Sequence, residues 1–332
     1  MKKIIEFIPF HLLKQLSNDI MLIVPFYHSV TDAPGIHLKN LYKVKTETIF
    51  EKDINFLLKH YQPVSLLDVK NHINGSKPLT KKSFLLTFDD GLRECYDVIY
   101  PTLKKQGIPA VFFINTGFVD NKELFYRFKT SLLIENLKTS SNSLKKEISI
   151  KYFNKTFSSD TTLVNELLSI NYNNKQLLDN IALTTNTDFN HYLNQYKPFM
   201  SLSMIKELYE NNFDIGSHSV DHPDFSILDD KQKIWQIKNS IEYLKENNVF
   251  SNVLSFPFAD YFIKQDFYNF IFSETKLDLC FGTSGLKKEN DKRIIQRINF
   301  EKDTTLAKHI FKEKISKYFI KSLIKKNITD RT

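Results

Sequence analysis

Two apolar runs, Ser83–Phe88 and Ala110–Ile114, flank a segment with helical spacing over residues 93–106. Gly107-Ile108-Pro109 stops that helix before the second run begins. Two buried strands joined by one helix in so short a span form a βαβ unit, which demands parallel pairing and a right-handed crossover. The alternation continues along the chain. Apolar runs at 21–27, 63–67, 213–218, 253–258, 278–282 and 294–300 read as strands. Helical periodicity is expected over 48–60, from Ser203, over 229–247 and over 264–275, with Thr48 and Ser203 as N-caps. This pattern predicts an α/β fold, either a (β/α) barrel or an open parallel sheet.

The stretch 118–200 departs from it. It is rich in Asn, Ser, Thr and Lys, has no glycine, and shows helical spacing at Phe125, Phe128, Leu132 and Leu133. We read it as a mostly helical insertion rather than a second catalytic domain. The expected organisation is an N-terminal helical extension over 1–20, a barrel over 21–304 containing the insertion, and a basic amphipathic helix over 305–332. That last segment interleaves lysines with Ile310, Phe311, Ile315, Phe319, Leu323 and Ile324. It fits a helix covering the barrel with a solvated lysine face, and it also fits peripheral contact with an anionic membrane.

In a parallel α/β fold, sites form at the carboxyl ends of the strands. His28, Asp89-Asp90, His218, Pro257-Phe258 and Arg297 all fall at or near expected strand ends. Adjacent acids with two histidines spaced i, i+4 (His218 and His222) can hold one divalent ion and leave a carboxylate free as a base. Each motif has a plainer reading: two acids after a strand also make a turn or an N-cap, and two histidines also cap or solvate a helix. The i, i+4 spacing would put both rings on one side of a helical turn. The two cysteines, Cys95 and Cys280, are far apart and read as small buried residues rather than a disulfide or a zinc ribbon. The formal net charge of +8 comes without any basic-aromatic nucleic-acid motif, and no nucleic-acid partner is expected. Glu6, His11 and Lys14 interrupt the apolar start, so neither an export signal nor a membrane span is expected, and the expected location is cytoplasmic or peripheral at the inner membrane face.

Thr87-Phe-Asp-Asp-Gly91 and His218-Ser-Val-Asp-His222 resemble the first two motifs of the polysaccharide deacetylase family, the NodB-homology or carbohydrate esterase 4 group. Pro25–Val30, Ser255-Phe-Pro-Phe258 and Gln296-Arg-Ile298 resemble three further segments of that family, so the likeness runs over about residues 20–305. The resemblance implies a distorted (β/α)7 barrel. It implies Asp90, His218 and His222 as ligands of one divalent metal, usually Zn2+ and sometimes Co2+, Ni2+ or Mn2+. Asp89 becomes the general base and the Phe258 N–H an oxyanion donor. Serine stands at 255 where many relatives carry a base-orienting arginine, and Arg297 is the candidate to replace it. No late Leu-x-x-His motif supplies the usual general acid; His28 is the candidate in its place, and His309 lies too late.

These features imply a metal-dependent carbohydrate N-deacetylase acting on an N-acetylated sugar. The absence of an export signal favours a nucleotide- or lipid-linked precursor of a cell-surface glycan. The altered third motif and absent acid motif also permit a glycan-binding protein that has kept the barrel and lost turnover.

Overall fold

The structure is a computed structural model that describes residues 19–156, 159–301, 305–324 and 326–332. Most of the N-terminal extension expected over 1–20 lies outside the described residues. The strands are β1 (Leu22–Ile23), β2 (Pro25–Tyr27), β3 (Gln62–Pro63), β4 (Ser83–Phe84), β5 (Leu86–Phe88), β6 (Ala110–Ile114), β7 (Asp214–Ser217), β8 (Val253–Ser255), β9 (Leu279–Gly282), β10 (Ile294–Gln296) and β11 (Ile298–Asn299). All described pairings between these strands are parallel.

The main sheet runs β10-β9-β8-β7-β6-β5-β2-β11. Its two ends, β10 and β11, are separated only by Arg297, so they are two halves of one strand. The first half pairs with β9 and the second with β2, and this closes the ring. Counted that way the barrel has seven staves, distorted where the last one changes partner.

Two of the expected strands are divided in the same manner. The run 21–27 breaks at Val24 and the run 83–88 at Leu85; β4 pairs with β1 on one side and β3 on the other in a small separate sheet, while β2 and β5 enter the barrel. The strand expected over 63–67 shrinks to Gln62–Pro63. Ser65 and Asp68 form a reciprocal capping box there, and Leu66–Ile73 is a helix. Two other caps also move. Thr46 rather than Thr48 caps Glu47–His60, and Ser201 rather than Ser203 caps Leu202–Glu210, because those hydroxyls reach the N–H groups three residues on.

Alternation along each strand sends every second side chain into the barrel. Val24, Leu85, Val111, Phe113, Val253, Leu279 and Phe281 form one buried interior cluster, and Leu66 and Val69 pack against it. Gly216 belongs to this crowded layer: a Cβ there would lie 2.5 Å from the Phe113 ring and 2.9 Å from Val253. The segment between β6 and β7 holds the helices Tyr126–Thr139, Asn142–Phe153, Asp160–Ser169, Gln176–Thr185 and Phe189–Tyr196. The helix Ala307–Leu323 buries Ala307, Ile310, Phe311, Ile315 and Tyr318. Cys95 and Cys280 are buried and unpaired. Among the described residues no helix is long and apolar enough to cross a membrane.

Candidate active site

Extending the inward alternation one step past the strand ends brings His28, Asp89 and His218 to the same rim. Asp89 follows β5, and its N–H donates to the Tyr27 carbonyl. Its carboxylate is buried and gripped at both oxygens by Arg297, with Nη1 2.6 Å from Oδ1 and Nη2 2.7 Å from Oδ2. The remaining donors of Arg297 reach Thr87 Oγ1, Ser255 Oγ and the Gly282 carbonyl. All five guanidinium N–H groups therefore have acceptors. The rings of Phe26 and Phe113 flank the cation at 4.6 and 5.2 Å. Arg297 can occupy the barrel interior because the last stave breaks there, and Ser255 serves as one of its acceptors. Burial works to raise the Asp89 pKa, but the Arg297 charge outweighs it and holds the carboxyl below the usual carboxylate range.

Asp90 and Gly91 turn the chain through left-handed backbone, with φ of 72° and 67°. This carries Asp90 Oδ1 to 3.1 Å from His222 Nε2 and 3.5 Å from His218 Nε2. The two histidines do not share a helical turn, contrary to the sequence expectation. Residues 218–222 form a loop in which Ser219 and His222 have φ of 70° and 56°, and this reversal is what brings the rings together. Asn115 and Gly117 clamp that loop: the Asn115 amide donates to the His218 carbonyl and the Gly117 N–H to the Val220 carbonyl. From the other side Asp221 is held by the Tyr172 hydroxyl and the Lys175 ammonium, each at 2.8 Å, and by the Gln236 amide.

Asp90, His218 and His222 present one donor atom each, all within 4.8 Å of one another. His218 Nδ1 donates to the Ser255 carbonyl at 2.9 Å, which leaves its Nε2 lone pair toward Asp90. Burial pushes the His218 imidazole down to about 4, so it stays neutral. Burial also opposes ionisation of Asp90, but the neighbouring imidazoles, His222 foremost, more than offset it and keep the carboxyl below its ordinary value. Asp90 Oδ1 is buried without a hydrogen-bond partner. Two imidazoles facing an unpartnered carboxylate oxygen fit a divalent cation.

His28 faces the same cavity. Glu301 accepts from the His28 and Ser29 N–H groups and pairs with His28 Nδ1. Burial works against protonating the imidazole, but Glu301 prevails and pushes its pKa up to about 10. Phe258 has φ of 55°, uncommon for a bulky residue, and its ring packs on His222 with centroids 4.7 Å apart. His309 is exposed on the helix Ala307–Leu323, outside this group.

The cavity has a volume of about 490 Å³. His28, Asp89, Asp90, His218, His222 and Phe258 all line it, and Arg297 lies buried beneath Asp89. Phe125, Arg127, Phe128 and Leu168 complete the wall, so the segment between β6 and β7 shapes the site as well as covering the barrel. Sequence reasoning overlooked this contribution and that of Glu301. The acid two residues past β11 sits opposite the end of β2 only because those two strands pair, and no local pattern announces it.

A sequence model of the polysaccharide deacetylase family matches residues 76–262, more than half of the chain. The chain belongs to this family. Over 94 residues, 28% of its length, the chain is 32% identical to the poly-beta-1,6-N-acetyl-D-glucosamine N-deacetylase of Escherichia coli K12. The match takes in 14% of that relative, so the chain spans about a seventh of the relative's length. Among solved structures it is similar to the deacetylase PplD of Streptococcus pyogenes, solved with acetate, at TM-score 0.56 and 16% identity over 89% of this chain and 97% of that one. It is also similar to IcaB of Ammonifex degensii, at TM-score 0.53 and 16% identity over 89% and 96% of the two chains. These likenesses establish the distorted (β/α)7 barrel.

Proposed function

We propose that this member of the polysaccharide deacetylase family is a metal-dependent N-deacetylase of an N-acetylated sugar belonging to a cell-surface glycan or its precursor. The observation that carries the reading is the convergence of the Asp90, His218 and His222 donors beside an Asp89 whose charge is fixed by Arg297. A divalent ion held by those three donors would supply Lewis acidity toward the acetyl carbonyl and the attacking water. The mixed nitrogen and oxygen donor set suits Zn2+, with Co2+, Ni2+ or Mn2+ as alternatives.

The protein's own groups have complementary tasks. Asp89, kept ionised, accepts a proton from water as the water oxygen bonds to the acetyl carbon. Arg297 fixes the carboxylate so that little reorganisation is needed as charge moves. The Phe258 N–H is a donor for the developing oxyanion. His28, kept protonated by Glu301, delivers a proton to the sugar nitrogen as the carbon–nitrogen bond breaks. Water and amide then become acetic acid and free amine; the proton gained by Asp89 balances the one given up by His28, and exchange with solvent restores both groups.

The alternative of a glycan-binding protein without turnover drew on the serine at 255 and the absent acid motif. Arg297 binds both Asp89 oxygens and His28 pairs with Glu301 at the same cavity, and these contacts favour turnover. The helix Ala307–Leu323 does not strengthen a membrane-borne substrate. Its apolar residues Ala307, Ile310, Phe311, Ile315 and Tyr318 are buried, and Tyr318 bonds Asp19, just before β1, which ties the helix to the barrel.

The test is acetate release from short N-acetylglucosamine oligomers with Zn2+ or Co2+, comparing wild type with Asp89→Asn. Loss of at least about 100-fold in the variant is expected. A wild type that binds metal yet releases no more acetate than Asp89→Asn would support the binding reading instead.

A further inference from the structure

Three arginines bear on the site or its supporting loops, and one differs from the others. Arg297 spends all five N–H groups on protein acceptors. Arg331 does the same beneath the Phe258 loop, through the Asp260 and Ile263 carbonyls and the carboxylates of Asp260 and Glu289. Arg127 lies half-buried in the first turn of the helix Tyr126–Thr139 and lines the cavity. Its Nη1 donates to the Leu168 carbonyl at 2.8 Å, and its guanidinium lies 5.7 Å from the Tyr126 ring and 5.9 Å from the Phe258 ring. Among the described residues no carboxylate forms an ion pair with it. The Leu168 carbonyl, the Tyr126 side chain and the Phe258 ring restrain this cation without neutralising it.

The cavity's own acids cannot serve Arg127, because Asp89 is bound by Arg297 and Asp90 faces the imidazoles. The Phe258 ring packs on the His222 ring, and the Arg127 guanidinium lies 5.9 Å from the same ring's centroid. The cation thus neighbours the ring that packs on a proposed metal donor, and all three residues line one cavity. A guanidinium with free N–H groups at that place matches an oxyanion in a planar, two-point fashion.

We propose that Arg127 is an anion subsite, so that the sugar presenting its acetamido group to Asp89 also carries a phosphoryl or carboxylate group close to that ring. The inference rests on the deacetylase reading of the cavity and narrows its substrate class to acidic or phosphorylated N-acetyl sugars. A purely structural Arg127, tying its helix to Leu168, would need only one of its donors.

The test compares four sugars with the full-length protein: N-acetylglucosamine 1-phosphate, uridine diphosphate N-acetylglucosamine, a disaccharide of N-acetylglucosamine with glucuronic acid, and neutral chitobiose. The first two probe a phosphoryl source and the third a carboxylate. Wild type should show higher kcat/KM for at least one anionic sugar than for chitobiose, with a KM that rises with salt for that sugar alone. Arg127→Gln should lower kcat/KM for that sugar about 10- to 100-fold more than for chitobiose, the size of a lost charged hydrogen-bonding partner, mainly through KM. Arg127→Lys should restore part of the difference. Calorimetric binding of the same four sugars to the Asp89→Asn protein, with and without Arg127→Gln, reads the subsite even where turnover is absent. Failure of the hydrolase reading is thereby separate from failure of the subsite. Equal losses for charged and neutral sugars, or no preference for any anionic sugar in either assay, would overturn the proposal.

Discussion

Replacing Arg297 tests the electrostatic centre of the barrel. The side chain is fully buried, and so is the carboxylate it neutralises. In Arg297→Met a side chain of similar length keeps most of the apolar contact with Phe26 and Phe113, while Asp89 loses two charged hydrogen bonds and Thr87 and Ser255 each lose a donor. Breaking a buried pair on one side costs about 3–5 kcal/mol, because the surviving charge stays desolvated. Set against a total stability of about 5–15 kcal/mol, that is a third or more for most domains. Urea denaturation at neutral pH in the presence of a chelator measures it without any contribution from bound metal. Arg297→Lys retains the charge but offers three donors where five acceptor contacts exist, so an intermediate loss of about 1–3 kcal/mol is expected. Adding Asp89→Asn to Arg297→Met removes the stranded charge and should recover about 2 kcal/mol or more, seen as a coupling term in the double-mutant cycle. A coupling below about 0.5 kcal/mol, or an Arg297→Met protein within about 1 kcal/mol of wild type, would refute the account of Asp89 as a carboxylate held by this arginine.

Further outcomes follow from other parts of the molecule. Asp90→Asn and His222→Ala should each weaken Zn2+ binding at least about 10-fold by calorimetry, and unchanged affinity would remove the three-donor site. Tyr172→Phe combined with Lys175→Met frees Asp221 on one side; metal affinity should fall by a smaller factor, with little change in melting temperature, and an equal fall in both would mark the contact as structural only. His37 is buried against Tyr192, and burial holds its pKa down at about 4, below the ordinary 6.5. The unfolded chain then binds the extra proton first, so stability rises with pH across the window from about 4 to 6.5 and is lost as pH falls through it. The His37 share of that loss is at most about 3 kcal/mol. His37→Gln should flatten the slope in that window, and an unaltered slope would assign the pH dependence elsewhere. Gly216→Ala drives a methyl group into Phe113 and Val253 and should cost about 1–3 kcal/mol; a neutral effect would contradict the packing of the barrel interior.

What could be read in the sequence was whatever a short window encodes. Alternating apolar runs and helices predicted a parallel α/β fold because each strand is a local run, and the family resemblance narrowed it to the barrel; the switch at Arg297 from β9 to β2 is a matter of partners rather than of composition. Asp89, Asp90, His218 and His222 stood out because ligand types abruptly followed apolar strands. The physical basis assigned to the histidine spacing was nevertheless mistaken: a loop with left-handed residues at Ser219 and His222, rather than a helix, creates the convergence. Glu301 and Arg127 escaped notice for a common reason. Each is an ordinary charged residue in its own segment, and each acquires a meaning only from a neighbour far along the chain, His28 in one case and the Phe258 loop in the other.

The charge pattern of the rim explains why those two residues matter to the chemistry. Two acids and three imidazoles crowd one end of the barrel, and left alone such a group would titrate as a set with no fixed roles. The fold separates the roles by giving each member a different partner. Arg297 holds Asp89 ionised at both oxygens, the Ser255 carbonyl fixes the His218 tautomer, and Glu301 keeps a proton on His28. Asp90 Oδ1 is left buried without a hydrogen-bond partner, between the two imidazole nitrogens, and His222 Nδ1 is likewise unpartnered. The proposed base, proton donor and ion site can coexist within one cavity because these second partners pull otherwise similar groups apart. Exchanging Glu301 for Gln removes the charge that keeps His28 protonated. The Glu301→Gln protein should therefore lose acetate release at neutral pH while retaining its metal affinity within about 2-fold, since none of the three donors contacts Glu301. Loss of metal and activity together would mean that Glu301 supports the ion site, and the division of roles proposed for the rim would fail.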